Sequence, residues 1–289
     1  MHFHAHWAKA ASYGTDADGE RITREVWGWS DLSPDDARLM AEQRAQQLTA
    51  PRRPDPDNAY GYPDRPLREP VLRRLADSPA LQAVISRNAY GCEVLNTDRV
   101  VFIDVDLPDL PPPASPGFFS LLFGKPKAPP AEDPRIAIEA ENIALLEYWQ
   151  RRHPEFSFRV YRTAAGLRYL LTSALLPPDD PLVDDAMEAT GADPDYRRLC
   201  RVQKSFRARL TPKPWRCDMD NPPHRFPFTD ARKTAAMAAW LTAYARAAAA
   251  HATCLALLDL GTAPVHPAVL PILDEHDRLT RAKSNLPLA

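Results

Sequence analysis

The residues best suited to chemistry are Asp104 and Asp106, near the end of the β-branched run Val100-Val101-Phe102-Ile103-Asp104-Val105-Asp106-Leu107. Residues two apart on a strand face one side, so both carboxylates project together while Ile103, Val105 and Leu107 enter the opposite layer. Two anions at that spacing oppose each other's ionisation unless a divalent cation or a guanidinium neutralises them. Donor atoms that are all oxygen favour Mg²⁺ or Mn²⁺, the ions that bridge enzyme carboxylates to substrate phosphates. Asp104 and Asp106 are therefore the candidate catalytic and metal-binding pair. The competing reading is a strand end whose acids bond arginines.

Arginines are at hand. Positions 197 to 216 contain eight Lys or Arg and no Asp or Glu. A strand from Phe206 sets Arg207, Arg209 and Thr211 on one face and Phe206, Ala208 and Leu210 on the other, and Lys213 and Arg216 extend the cationic surface. Guanidinium forks match phosphate geometry, which makes a nucleotide or nucleic-acid phosphate the natural ligand. Trp215, between Lys213-Pro214 and Arg216, is placed to stack on a base. The alternative is a structural network with Asp104, Asp106, Asp193 and Asp195.

A hairpin supplies a third group: Phe158 to Thr163, the turn Ala164-Ala165-Gly166, then Leu167 to Thr172. The turn suits a three-residue loop closed by a left-handed glycine. Tyr161 and Thr163 are expected on one face and Arg168, Leu170 and Thr172 on another, with Arg162 or Arg168 joining the cationic surface. The strand Val101 to Asp106, followed by a helix and by Tyr161-Arg162-Thr163-Ala164-Ala165-Gly166-Leu167-Arg168, resembles the catalytic core of the archaeo-eukaryotic primase superfamily over roughly 70 residues. The resemblance implies an RRM-like palm in which the two acids bind divalent metal and a histidine after the glycine contacts the incoming nucleotide. Here Arg168 stands at the histidine position. A third acid is not fixed by the sequence: Asp184, Asp185, Asp193 and Asp195 are the candidates.

These residues need a frame. Alternation through His2 to Trp7, a polar turn around Tyr13 to Gly19, and Glu25 to Trp29 read as a hairpin. Ser33-Pro34-Asp35-Asp36 starts a helix to about Leu48. Pro51 to Pro70 reads as loop, Val71 to Leu75 as a short helix, and Val84 to Asn96 as strand material broken at Gly91. Val100 to Leu107 belongs in the middle of a sheet. Pro108 to Pro134, with nine prolines, reads as an inserted loop carrying the apolar knob Phe118 to Phe123, a surface for a protein partner if it does not fold back. Helices are expected from Asp133-Pro134 to Trp149, from Pro181 to Ala189, from Thr229-Asp230 toward Ala252, and over Pro267 to Thr280. The sum is one α+β domain over 1–289, a mixed or antiparallel sheet covered by helices, with a helical C-terminal part from 229 to 289.

At 289 residues, 45% hydrophobic and 26% charged, the chain has ordinary globular composition. A net charge of -2 argues against a generic polyanion binder, so any nucleic-acid contact is local. No run reaches the ~18 to 20 apolar residues of a membrane span, no leader is evident, and Cys92, Cys200, Cys217 and Cys254 lack CxxC spacing, which fits buried thiols in the reducing cytoplasm. His2, His4 and His6 read as surface imidazoles. Three in line on a strand make a compact metal triad only with a ligand from elsewhere.

The functional expectation is a primase-like protein that handles nucleotides or single-stranded nucleic acid, either a metal-dependent nucleotidyltransferase or a degenerate relative. Two alternatives stand: a noncatalytic interaction protein on the same fold, and a metal-dependent nucleotide-sugar transferase, for which a glycine-rich nucleotide-binding start is missing.

Overall fold

The computed structural model describes residues 1–15, 20–47, 66–108 and 134–289. Most of the proline-rich stretch from 51 and the whole Phe118 to Phe123 knob lie outside the described residues.

Two ten-residue strands, β1 (His6–Thr15) and β2 (Arg21–Ser30), pair antiparallel from His6 opposite Ser30. Helix α1 (Pro34–Gln47) begins where Ser33 Oγ accepts the Asp36 N–H at 3.0 Å. It packs on the hairpin through Ala37, Ala41 and Ala45, an i, i+4 stripe of buried small side chains. Gly28 of β2 lies directly under that stripe, and a Cβ there would enter the backbone of Ala37 and Ala41. His2 and His4 precede β1 and are not on the strand, so the expected alternation of three histidines is not formed.

A second sheet has the order β3-β4-β5-β9, from β3 (Val71–Asp77), β4 (Gln82–Arg87), β5 (Glu93–Thr97) and β9 (Phe206–Arg209). Val71 to Leu75 is therefore strand and not helix: five residues nucleate no stable helix, whereas pairing with β4 satisfies their backbone. Gly91, at φ +80°, turns the chain between β4 and β5.

The third sheet, β10-β7-β8-β6, contains β6 (Phe102–Asp106), β7 (Phe158–Thr163), β8 (Gly166–Leu171) and β10 (Cys254–Leu260), all pairs antiparallel. The expectation of one sheet with a central acidic strand is thus corrected: three antiparallel sheets are present among the described residues, and β6 is an edge of its own. β10 also interrupts the expected all-helical C-terminal part. The edge is covered, because β9 approaches β6 and the hydroxyl of the partly buried Tyr196 lies 3.0 Å from the Phe102 carbonyl and 3.2 Å from the Arg207 carbonyl. The two sheets share one core that includes Ile85, Leu95, Phe102, Ile103, Leu146, Trp149 and Phe206.

Helix α2 (Pro134–Arg152) covers the face that carries Ile103, Val105 and Tyr169, with the Tyr169 hydroxyl donating to the Asn142 carbonyl at 3.2 Å. Helix α6 (Leu270–Thr280) covers part of the other face, where His276 packs against Phe102 and Tyr161. Helices α3 (Pro181–Ala189) and α4 (Pro194–Gln203) begin at Asp180 and Asp193, each followed by proline. Helix α4 is additional to the expected helices, although Asp193-Pro194-Asp195 repeats the start signal of α3. Helix α5 (Ala231–Ala249) starts at Asp230, which accepts from the Lys233 N–H. All four cysteines are buried free thiols, and no described helix is long and apolar enough to cross a membrane.

Gly28→Ala should lower the unfolding free energy by about 1–3 kcal/mol by driving a methyl into α1. Gly14→Ala, whose Cβ would meet no atom within 4 Å, should stay within about 0.5 kcal/mol in the same urea titration.

Candidate functional site

The alternation of β6 sends Asp104 and Asp106 to one face and buries Ile103 and Val105 on the other. Register then decides what each acid meets. Asp104 lies opposite Arg168 and Asp106 opposite Gly166. Arg168, 3% exposed, grips Asp104 with both arms of its fork, Nε to Oδ1 at 2.7 Å and Nη2 to Oδ2 at 2.9 Å. Its Nη1 donates to the Arg209 carbonyl at 2.9 Å and lies 3.4 Å from His276 Nε2. Burial works against the Arg168 charge, but Asp104 outweighs it and holds the guanidinium pKa above its ordinary value. Tyr161 is the cross-strand partner of Arg168, so the two share a face rather than opposing ones. Gly166 is extended and does not supply the left-handed closing residue expected of the turn; its role is space, since a Cβ there would strike the Val105 carbonyl.

Helix α4 brings further acids. The Asp193 N–H donates to the Asp104 carbonyl at 3.3 Å, and Asp193 Oδ1 accepts the Asp195 N–H at 2.9 Å. A cleft of about 410 Å³ is lined by Asp104, Asp106, Asp193 and Asp195 together with Arg168, Arg209, Lys213 and Arg216. Burial, then Asp193 and Asp104, push the Asp106 carboxyl above its usual pKa. Burial and the neighbouring Arg209 and Arg216 push the Lys213 ammonium below its usual value. Among the described residues Arg209 and Lys213 form no ion pair, and the buried Arg209 Nε has no hydrogen-bond partner. Asp104, Asp106 and Asp193 do not bring three carboxylate oxygens within 4.8 Å of one another. Of the two β6 carboxylates, Asp104 is committed to Arg168 and Asp106 is not.

Of the nine residues to which the sequence assigns catalytic, metal, phosphate or base contacts, six therefore meet in one cleft: Asp104, Asp106, Arg168, Arg209, Lys213 and Arg216. Three do not line it. Arg162 points to the α2 side and is held by the buried Glu139 through Nε at 2.7 Å and Nη2 at 2.5 Å. Arg207 is paired with Glu69 at 2.6 Å. Trp215, 47% exposed, lies just outside, with the Lys213 ammonium 5.2 Å from its ring centre and Tyr90 edge-on at 5.3 Å. Of the candidates for a third acid, Asp184 bonds Arg197 and Asp185 bonds the Trp149 indole, which leaves Asp193 and Asp195. Tyr196 and Thr253 also line the cleft and carry no signal in the sequence. Comparison with protein-family models, with curated proteins and with solved structures returns no match.

Asp104→Ala should cost about 3 kcal/mol, at the low end for a broken buried pair because a third of the Asp104 side chain is open to water, while Asp104→Leu with Arg168→Met should recover most of it; urea unfolding of the three variants checks both. His276 is pushed down to about 4 by burial. The unfolded imidazole takes its proton near pH 6.5, so the stability tied to neutral His276 is complete above about pH 6.5 and is lost as pH falls toward 4. His276→Gln should flatten the decline of melting temperature across that window relative to the parent protein.

Proposed function

We propose that the cleft binds the phosphates of a nucleotide, free or at the end of a single-stranded nucleic acid, on a primase-like palm whose transfer chemistry is degenerate. The observation that carries this reading is that Arg209 and Lys213 are without ionic partners among the described residues, in a cleft they share with Asp106 and Asp193. Half-buried cations of this kind are costly until an anion reaches them. Facing carboxylates repel until a cation does. A phosphate accompanied by a divalent ion answers both demands at once.

In this reading Arg209, Lys213 and Arg216 hold phosphate oxygens, Trp215 offers a face beside them for a base, and Asp106 with Asp193 supplies oxygen ligands to Mg²⁺ or Mn²⁺. The succession β6-α2-β7-β8-α3-α4-β9 follows the β-α-β-β-α-β order of such a palm, with two helices in the second helical position and with the last strand, β9, lying beside β6 but hydrogen-bonded to β5 in the neighbouring sheet. The degenerate character rests on Asp104, which commits both oxygens to Arg168. Of the two acids on β6, Asp106 alone then remains open to a metal ion.

The test is calorimetric titration with a nucleoside triphosphate, with and without Mn²⁺, beside an assay for nucleotide addition to a primer. Arg209→Ala with Lys213→Ala should weaken binding at least about tenfold, or 1.4 kcal/mol. Mn²⁺ should tighten binding to the parent protein and not to Asp106→Asn, and no nucleotide should be added. Addition that Asp104→Ala abolishes would establish an active nucleotidyltransferase instead. Absence of nucleotide binding would leave the noncatalytic interaction protein as the better reading.

A further inference from the structure

Ahead of β1 the chain folds back over the junction between β2 and α1, and two imidazoles meet a carboxylate there. His2 Nε2 lies 2.7 Å from Asp31 Oδ2, His4 Nδ1 lies 3.1 Å from the same oxygen, and the two ring nitrogens are 3.1 Å apart. Protons cannot satisfy this closed triangle. Each facing nitrogen of a neutral imidazole carries one N–H or one lone pair, and an ionised carboxylate carries no proton. If both nitrogens donate to Asp31, their N–H groups confront each other. If either does not, its lone pair confronts the carboxylate oxygen. One of the three short contacts is repulsive in every tautomer.

A cation seated against the triangle removes the conflict, because each of the three atoms can then give it a lone pair. An ion about 2.0–2.2 Å from nitrogen and oxygen donors stands roughly 1 Å outside the plane of such a triangle, on the way to a tetrahedron. Imidazole nitrogen suits zinc, copper, iron or nickel, whereas magnesium and calcium prefer oxygen. The ligands are also held from behind. Asp31 Oδ1 accepts the Ala5 N–H at 3.2 Å, the Trp7 indole donates to the His4 carbonyl at 3.1 Å, and the His4 ring lies 6.1 Å from the Trp7 ring and 6.0 Å from the Trp29 ring. His2 and Asp31 are exposed, with 60% and 46% of their side chains open, against 17% for His4.

We propose that His2, His4 and Asp31 form a binding site for a divalent transition metal of the zinc type, which ties the first residues to the β2–α1 junction and leaves an outward coordination position for water or another ligand. The required ligand from elsewhere is Asp31, and His6 takes no part. The site is independent of the acidic and basic cleft.

The full chain without an affinity tag is titrated with Zn²⁺, and Co²⁺ substitution is followed by visible absorption. One ion should bind per chain at neutral pH. His2→Ala, His4→Ala and Asp31→Ala should each weaken Zn²⁺ binding at least about tenfold, whereas His6→Ala and Asp106→Asn should change it less than about twofold. Far-UV circular dichroism of each variant shows that the fold is kept. Absence of saturable binding, or equal affinity in the three ligand variants, would overturn the site. A loss with His6→Ala as large as that with Asp31→Ala would also overturn it, by assigning the ion to the three histidines.

Discussion

Asp104 and Arg168 face each other across β6 and β8, and the cleft is built around their two-armed contact. A guanidinium this deeply buried is tolerated only beside a matched anion, and the remaining arm of Arg168 reaches the Arg209 carbonyl. The same side chain thus ties β6, β8 and β9 together at the place where two sheets meet. Tyr196 closes that junction from α4. Its hydroxyl lies between the carbonyls of β6 and β9, and its helix starts at Asp193, directly over Asp104.

This arrangement divides the charges of the cleft. Arg168 neutralises Asp104, while Arg162 and Arg207 are neutralised by Glu139 and Glu69 away from the cleft. Arg209 and Lys213 are left facing Asp106 and the acids of α4. The raised pKa of Asp106 and the lowered pKa of Lys213 express the same fact from opposite signs: each side chain is desolvated among like charges. A ligand that brings both a phosphate and a cation relieves both strains, which is the physical basis of the proposed nucleotide binding.

Much of this is legible in the sequence, and the exceptions share a cause. The period of two in Val100 to Leu107 and in Phe206 to Leu210 places Asp104, Asp106 and Arg209 correctly, and capping residues mark α1, α3 and α5. Local pattern does not reveal pairing partners. Val71 to Leu75 reads as helix because nothing in five residues announces β4 beside them, and β10 escapes sequence reasoning because its neighbour β7 lies 100 positions away at the Arg159–Asp259 pair. Arg162 and Arg207 carry the same chemistry as Arg209 in sequence. Only the positions of Glu139 and Glu69 separate structural arginines from one open to a ligand. His2 and His4 show the reverse, since a pair with no evident partner along the strand gains one when Asp31 arrives from the far end of β2.

The most direct test is an anomalous-difference map from crystals grown with Mn²⁺ and a non-hydrolysable nucleoside triphosphate. Manganese is expected beside Asp106 and Asp193, with phosphate oxygens on Arg209 and Lys213 and the fork between Arg168 and Asp104 intact. Manganese bridging Asp104 and Asp106 with Arg168 displaced, or nucleotide bound away from this cleft, would contradict the proposed division of charge.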